Sequence, residues 1–229
     1  MASERVVLPL PKDVPTDVTA IIGCAVMTGA GAIINTLQVR PGQSVAVFGA
    51  GGIGLCAIAA AGIVNAHPIV VVDVSKEKLA FARRFGATHT VDARNGDPVK
   101  AIQELTNGGV EYAIDAIGLP ETQEQILRAA RMGYSGLNRG GTALLIGITP
   151  PGAKAILDTN LFIGSRTFTR TSGGDCRPDR DFPLFVRWYR EGKLKLNDLV
   201  THRYTLDQIN SAVEDLEHGR ILGRGIITY

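Results

Sequence analysis

Residues 44–54 read Ser-Val-Ala-Val-Phe-Gly-Ala-Gly-Gly-Ile-Gly. The uncharged run Ser44–Phe48 suits a strand buried on both faces. It ends in Gly49-x-Gly51-x-x-Gly54, with Gly52 inside the turn. Ile53 to Val64 follows, rich in alanine and apolar all round, as a helix packed on a sheet should be. Ile69–Val72 is a β-branched strand closing on Asp73, which lies 19 residues beyond Gly54. Strand, glycine turn, helix, strand and acid in that register match the dinucleotide fingerprint, whose acid sits ~20 residues on.

Each glycine has a physical task. Gly49 permits a tight turn, and Gly51 lets a pyrophosphate approach the backbone. Gly54 lets helix and strand pack closely. The helix N-terminus offers free N–H groups and a positive dipole end. Asp73 can accept bonds from ribose hydroxyls, and its charge would repel a 2′-phosphate, which favours NAD over NADP. Two other readings stand beside this one. The glycines could form a plain turn with Asp73 capping a helix, or the site could take another Rossmann ligand such as S-adenosylmethionine.

The same rhythm continues outward. Lys76–Phe85 predicts a helix capped by Ser75 and stopped by Gly86. Thr88–Val91, Tyr112–Ala116, Thr142–Ile148 and Arg166–Arg170 read as strands. Pro98–Leu105 and Glu121–Met132 read as helices between them. Such alternation predicts right-handed βαβ units in an α/β fold. The expectation is a doubly wound parallel Rossmann sheet of six strands, order 3-2-1-4-5-6. We divide the chain into a lead-in (1–26), a dinucleotide-binding domain (27–171) and a C-terminal segment (172–229). Met1–Ile22 carries Pro9, Pro11 and Pro15 and reads as extended. The C-terminal segment offers helices at Phe182–Arg190 and Leu206–His218, with strands at Val200–Tyr204 and Ile226–Tyr229. The two flanking parts look like remnants of a second domain and are expected to leave apolar surface exposed.

Composition narrows the classes. With 229 residues, 45% apolar and 20% charged, the chain is globular. A net charge of +2 gives no strong field for nucleic acid or an anionic membrane. Arg83-Arg84, the longest basic run, reads as a solvated helix face. Cys24, Cys56 and Cys176 lack C-x-x-C spacing, which favours a reducing, cytoplasmic compartment. No charge occurs from Pro41 to Val72, but Asn65, His67, Pro68 and the clustered glycines argue against a membrane span. The N-terminus shows no secretory pattern.

Several segments together resemble the zinc-dependent medium-chain alcohol dehydrogenase family. They are Gly23-Cys-Ala-Val-Met-Thr-Gly29, Val39-Arg-Pro-Gly-Gln-Ser-Val-Ala-Val-Phe-Gly49, Phe85-Gly-Ala-Thr-His89 and Ile221-Leu-Gly-Arg-Gly-Ile-Ile227. The flavour is that of the class III-like branch, which includes thiol-dependent formaldehyde dehydrogenases. The resemblance implies hydride transfer between an alcohol/aldehyde pair and NAD, and a homodimer joined through the sheet edge. Thr142–Ile148 and Leu157–Ile163 are the expected contact segments.

By that resemblance, Cys24 looks like a ligand of the catalytic zinc, and Thr28 and Ile53 look like nicotinamide supports. Lys78 resembles a lysine that reaches the adenosine ribose beside Asp73. Ile117 lies where the cofactor cleft is lined, and Arg224 resembles an arginine that reaches the pyrophosphate. Zinc in that family polarises the alcohol oxygen as a Lewis acid, and such a site needs three protein ligands. The other ligands lie in a β-rich region that includes a Gly-His-Glu segment. Only 23 residues precede Cys24, and His67, His89, His202 and His218 are followed by Pro, Thr, Arg and Gly. The expectation is a truncated chain that binds NAD, with Cys24 the single ligand of an incomplete zinc site and zinc itself absent. A stand-alone nucleotide-binding or sensor module and a Rossmann methyltransferase are the alternatives.

Three other features weigh against function. Tyr189-x-x-x-Lys193 has short-chain dehydrogenase spacing, but Gly192 would break the helix needed to align the pair. Asp175-Cys176 reads as a loop, and His202 as structural.

Overall fold

The computed structural model describes residues 7–134 and 136–229. Six parallel strands form the main sheet: β1 (Val45–Phe48), β2 (Ile69–Asp73), β3 (His89–Asp92), β4 (Tyr112–Asp115), β5 (Thr142–Leu145) and β6 (Thr167–Arg170). Their order is β3-β2-β1-β4-β5-β6, the doubly wound arrangement expected from the sequence. Val47 on the central strand lies opposite both Val71 and Ile114. All of β1 is buried, which explains its lack of polar residues.

Helices fill the connections. α1 (Thr16–Thr36) precedes the sheet. α2 (Gly52–Ile63), α3 (Lys76–Ala82), α4 (Pro98–Thr106) and α5 (Pro120–Ala129) lie between strands. Capping follows local chemistry. The Ser75 hydroxyl accepts the Lys78 N–H at 3.2 Å, and Asp97 accepts the Val99 N–H at 2.9 Å. Gly86 ends the turn after α3 at φ +115°. α2 is nearly uniform in apolarity because it is sandwiched between the sheet and α1.

The lead-in differs from the sequence reading. Within the described part of Met1–Ile22, helix begins at Thr16, directly after Pro15. Helix then continues across the 26/27 boundary to Thr36. The following stretch contains no proline and only Asp17 as a charge, so nothing stops the helix. By length and composition α1 could cross a membrane, yet 56% of its apolar window is buried within the protein. Two π-helical turns interrupt it, at Ile22–Val26 and Ala32–Thr36.

Beyond β6 lie α6 (Pro178–Arg190), α7 (Leu196–Leu199) and α8 (Ile209–Glu217), with β7 (Val200–Thr205) paired in parallel to β8 (Arg224–Thr228). This part shares one continuous core with the sheet, since Phe185, Trp188, Leu196 and Ile226 join the cluster containing Val47 and Leu55. Asp181 anchors it to α1: its carboxylate accepts from Asn35 Nδ2 at 3.0 Å and from the Arg177 N–H at 2.8 Å. Exposed apolar side chains lie on α8 and the turn before it, where Leu206, Ile209, Val213 and Leu216 face outward, while α1 is largely covered.

A second difference concerns the sheet edge. β5 ends at Leu145, short of Ile148, and is interior, bonded to β4 and β6. The open edge on that side is β6.

α1 and α2 cross at a contact that allows no side chain. A Cβ at Gly29 would strike the Ile53 carbonyl and approach Cys56 Cβ to 2.7 Å and Ala57 N to 2.8 Å. Gly29→Ala should therefore lower stability by about 1–3 kcal/mol, as overpacking does. Urea denaturation checks this; an unchanged midpoint would show that the helices can separate freely.

Candidate functional site

The end of β1 and the start of α2 make a crevice at the switch point between β1 and β4, where ligands bind in doubly wound sheets. Gly49 leaves the strand at φ +99°, and its N–H donates to the Val72 carbonyl at 2.8 Å. A Cβ at Gly54 would collide with the Gly49 carbonyl, so only glycine lets α2 begin here. At Gly51 the Cβ direction is open, with no atom within 4 Å. No side chain caps α2 and no acid lies in its first turn, so its leading N–H groups face the crevice without intrahelical partners.

Arg224, at the start of β8, lies against Gly52, where a Cβ would meet its Nε and approach its Cδ to 2.6 Å. Its Nε and Nη2 are buried without a hydrogen-bond acceptor. Buried N–H donors left in that state are unfavourable unless an acceptor, best of all an anion, meets them.

The turn separates two cavities. One, of about 570 Å³, lies at the strand ends and is lined by Asp73, Val74, Ile117, Leu119, Gln125 and Arg128, among others. The second, of about 300 Å³, is lined by Gly51, Gly52, Lys78, Arg224 and the apolar face of α8. Asp73 is engaged on both carboxylate oxygens. Oδ2 accepts the Ala50 N–H at 2.8 Å, and Oδ1 accepts the Ser75 N–H at 2.9 Å.

The structure thus gathers Gly49, Gly51, Gly52, Gly54, Asp73, Ile117 and Arg224 around one turn. Ile53 and Thr28 are half-buried at the α1–α2 crossing. Lys78 lines the cavity of Arg224, with Nζ beside Gly219. Asp115 was missed altogether. It ends β4 fully buried, and the signal was available as an acid closing a strand beside β1. Its carboxyl is raised above the ordinary range by burial, against the pull of the Ile117 and Gly118 N–H groups and the Thr122 hydroxyl.

Cys24 is exposed in the first π-helical turn of α1, a distortion often found at functional positions. Among the described residues, no group of three His, Cys, Asp or Glu side chains is placed to hold a metal ion. Cys24 and its described neighbours do not compose a catalytic zinc site, which takes three protein ligands.

The remaining features are structural. Gly192 stands at φ +69° after α6 ends, Lys193 pairs with Glu191 at 2.7 Å, and the Tyr189 hydroxyl meets Asn197. Tyr189 and Lys193 therefore do not act as a pair. Cys176 donates to the Met27 carbonyl at 3.1 Å, and burial, helped by Asp181, pushes its thiol up to about 12. His202 stacks on Tyr204.

Residues 52–191 match the zinc-binding dehydrogenase family. Over 99% of the chain, it is 32% identical to S-(hydroxymethyl)glutathione dehydrogenase of Paracoccus denitrificans, covering 60% of that protein. It is 35% identical to geraniol dehydrogenase of Castellaniella defragrans over 97% of the chain and 58% of the relative. Among solved structures, benzyl alcohol dehydrogenase of Acinetobacter calcoaceticus superposes with a TM-score of 0.87 at 36% identity, covering 95% of this chain and 58% of that one. The chain thus spans about three fifths of the length of these relatives.

The three thiols differ sharply in accessibility. Burial drives Cys56 up to about 12 despite the nearby Arg224 charge. Labelling of the native protein at pH 8 with an aromatic disulfide should modify Cys24 rapidly and Cys56 and Cys176 far more slowly. Peptide mass mapping checks the order, and rapid labelling of Cys56 would contradict the tight α1–α2 packing.

Proposed function

The chain belongs to the zinc-binding dehydrogenase family, and from that premise we propose that it is the NAD-binding part of an oxidoreductase acting on an alcohol/aldehyde pair. The observation that carries the reading is that Nε and Nη2 of Arg224 are buried without acceptors against an open, uncapped glycine turn. A dinucleotide pyrophosphate supplies the missing acceptors. The N–H groups at the start of α2 bind one side of it and Arg224 the other.

Asp73 holds the adenosine ribose through the lone pairs its two backbone donors leave free, and its charge disfavours a 2′-phosphate. NAD is therefore the cofactor rather than NADP. Ile117 walls the adenosine side. Thr28 and Ile53 support the nicotinamide end, and Lys78 adds positive charge on the Arg224 side. The chemistry a bound nicotinamide supplies is hydride transfer. These residues contribute binding and orientation, and no metal-dependent step follows from the lone Cys24. Family membership removes the methyltransferase alternative. A non-catalytic nucleotide-binding module shares this cradle and differs only in lacking turnover.

Three free thiols fit a reducing, cytoplasmic setting. A homodimer joined along β6 is supported by its open edge and by exposed Ile148, Ile156 and Ile163 in the preceding connection.

Titration with NADH, followed by nicotinamide fluorescence, should give saturable binding, with NADPH much weaker. Arg224→Ala should weaken NADH by about 10–100-fold, the range of a hydrogen bond to a charged group. No binding of NADH at millimolar concentration would sink the assignment. Light scattering should report twice the chain mass, and a monomer at high concentration would remove the dimer.

A further inference from the structure

The fold uses a second carboxylate at the crevice, one that does not face the proposed ligand. Asp115 ends β4, directly opposite Phe48 at the end of β1. It is 0% exposed, so each of its oxygens requires donors from the protein. Oδ1 accepts the Ile117 N–H at 2.9 Å, the Gly118 N–H at 3.1 Å and the Thr122 hydroxyl at 3.0 Å. Oδ2 shares the Gly118 N–H at 3.1 Å. These donors belong to the link between β4 and α5 and to the first turn of α5.

That link forms one lip of the larger cavity through Ile117 and Leu119, both exposed there. The facing lip is formed by Asp73 and Val74 at the end of β2. The glycine turn abuts the link, since a Cβ at Gly49 would come within 2.7 Å of Ile117 Cγ1. Asp73 pins the glycine turn through the Ala50 N–H. Asp115 pins the Ile117–Leu119 lip in the same way, with a strand-end carboxylate gathering backbone N–H groups. From behind, Gly118 and Gly147 interlock so closely that neither tolerates a Cβ.

We propose that Asp115 is a positioning residue for cofactor binding, whose carboxylate fixes the Ile117–Leu119 lip at the separation the adenosine moiety requires. The proposal rests on the dinucleotide reading above and deepens it. Asp115 touches no part of the ligand. It acts through Ile117 and Leu119, which it holds by their backbone. An asparagine keeps a carbonyl oxygen at the same place and preserves the clamp, whereas an alanine releases three donors into a buried space.

The test compares wild type, Asp115→Asn, Asp115→Ala and Thr122→Val. NADH affinity is read by fluorescence and AMP affinity by displacement. Circular dichroism melting reports folding, and hydrogen exchange reports residues 116–119. Asp115→Ala should weaken both NADH and AMP by tenfold or more and speed exchange in that link. Asp115→Asn should stay within threefold of wild type, and Thr122→Val should weaken binding two- to fivefold with the fold intact. If Asp115→Ala does not fold, Thr122→Val carries the decision. Folded variants that bind NADH and AMP as wild type does would overturn the positioning role while leaving the dinucleotide reading in place. Loss of affinity in Asp115→Asn equal to that in Asp115→Ala would also overturn it. Wild type that binds no NADH would overturn both.

Discussion

Everything at this crevice depends on how the chain leaves β1. Residues 49–54 must turn from a fully buried strand into a helix without a side chain entering the joint. A Cβ at Gly54 would collide with the Gly49 carbonyl, and Gly49 itself stands at φ +99°. Meeting that steric condition aims the N-terminus of α2 outward at the strand ends. It leaves Gly51 facing open space and sets a cavity on either side of the turn. Two strand-end acids then fix the edges of the crevice, Asp73 on the turn and Asp115 on the link beside it.

This local geometry is the part of the structure that a sequence states most directly. A strand, a turn and a helix written within twenty residues constrain one another. The six β-strands announce themselves by short apolar runs between helical stretches, and their order follows from the handedness of βαβ units. α1 is different. It is apolar with scattered glycines and two π-helical turns, so its pattern carries no clean 3.6-residue period, and three prolines before it read as an extended segment. The expected contact segment Thr142–Ile148 falls on an interior strand, while β6, the edge in the order read from the sequence, is the least buried and least conspicuous of the set. Asp115 carries a sequence signal only as an acid closing a strand; its partners, the Ile117 and Gly118 N–H groups and the Thr122 hydroxyl, are seen only in the fold.

Arg224 was legible only through family resemblance, since it lies 170 residues beyond Gly54. Its arrival at Gly52 depends on the whole C-terminal part docking in one orientation. Ion pairs connect that part to the rest, including Arg84–Asp198 at 3.1 Å, Arg190–Asp13 at 2.6 Å and Arg203–Asp17 at 2.7 Å. Their side chains are substantially solvent-exposed, and such pairs contribute about 0–1 kcal/mol each. Apolar burial is the larger effect. Phe185, Leu194, Leu196, Leu199 and Val200 are all buried in the main core, at ~1.5–3 kcal/mol for each large side chain fully removed from water. The ion pairs set orientation, and the core supplies the affinity between the two parts.

The charge balance around that arginine completes the argument. The nearest buried ionisable group, Cys56, is held neutral by its surroundings, with its thiol pushed up to about 12. The first turn of α2 carries no acid. Asp73, the nearest acid on the neighbouring strand, already accepts from Ala50 and Ser75. Positive charge from the guanidinium therefore adds to the positive end of the helix, and among the described residues no acid lies in the first turn of α2 to balance it. Such an arrangement is unfavourable when empty and is relieved by a ligand bearing closely spaced negative charges. Because the glycine turn and both carboxylate clamps are set before any ligand arrives, little ordering remains to be done at binding. The same preorganisation explains why the joint tolerates so little change: a side chain at Gly49 or Gly54 would shift the donors away from the position where helix and arginine act on the same anion, and one at Gly51 would occupy the space the anion needs.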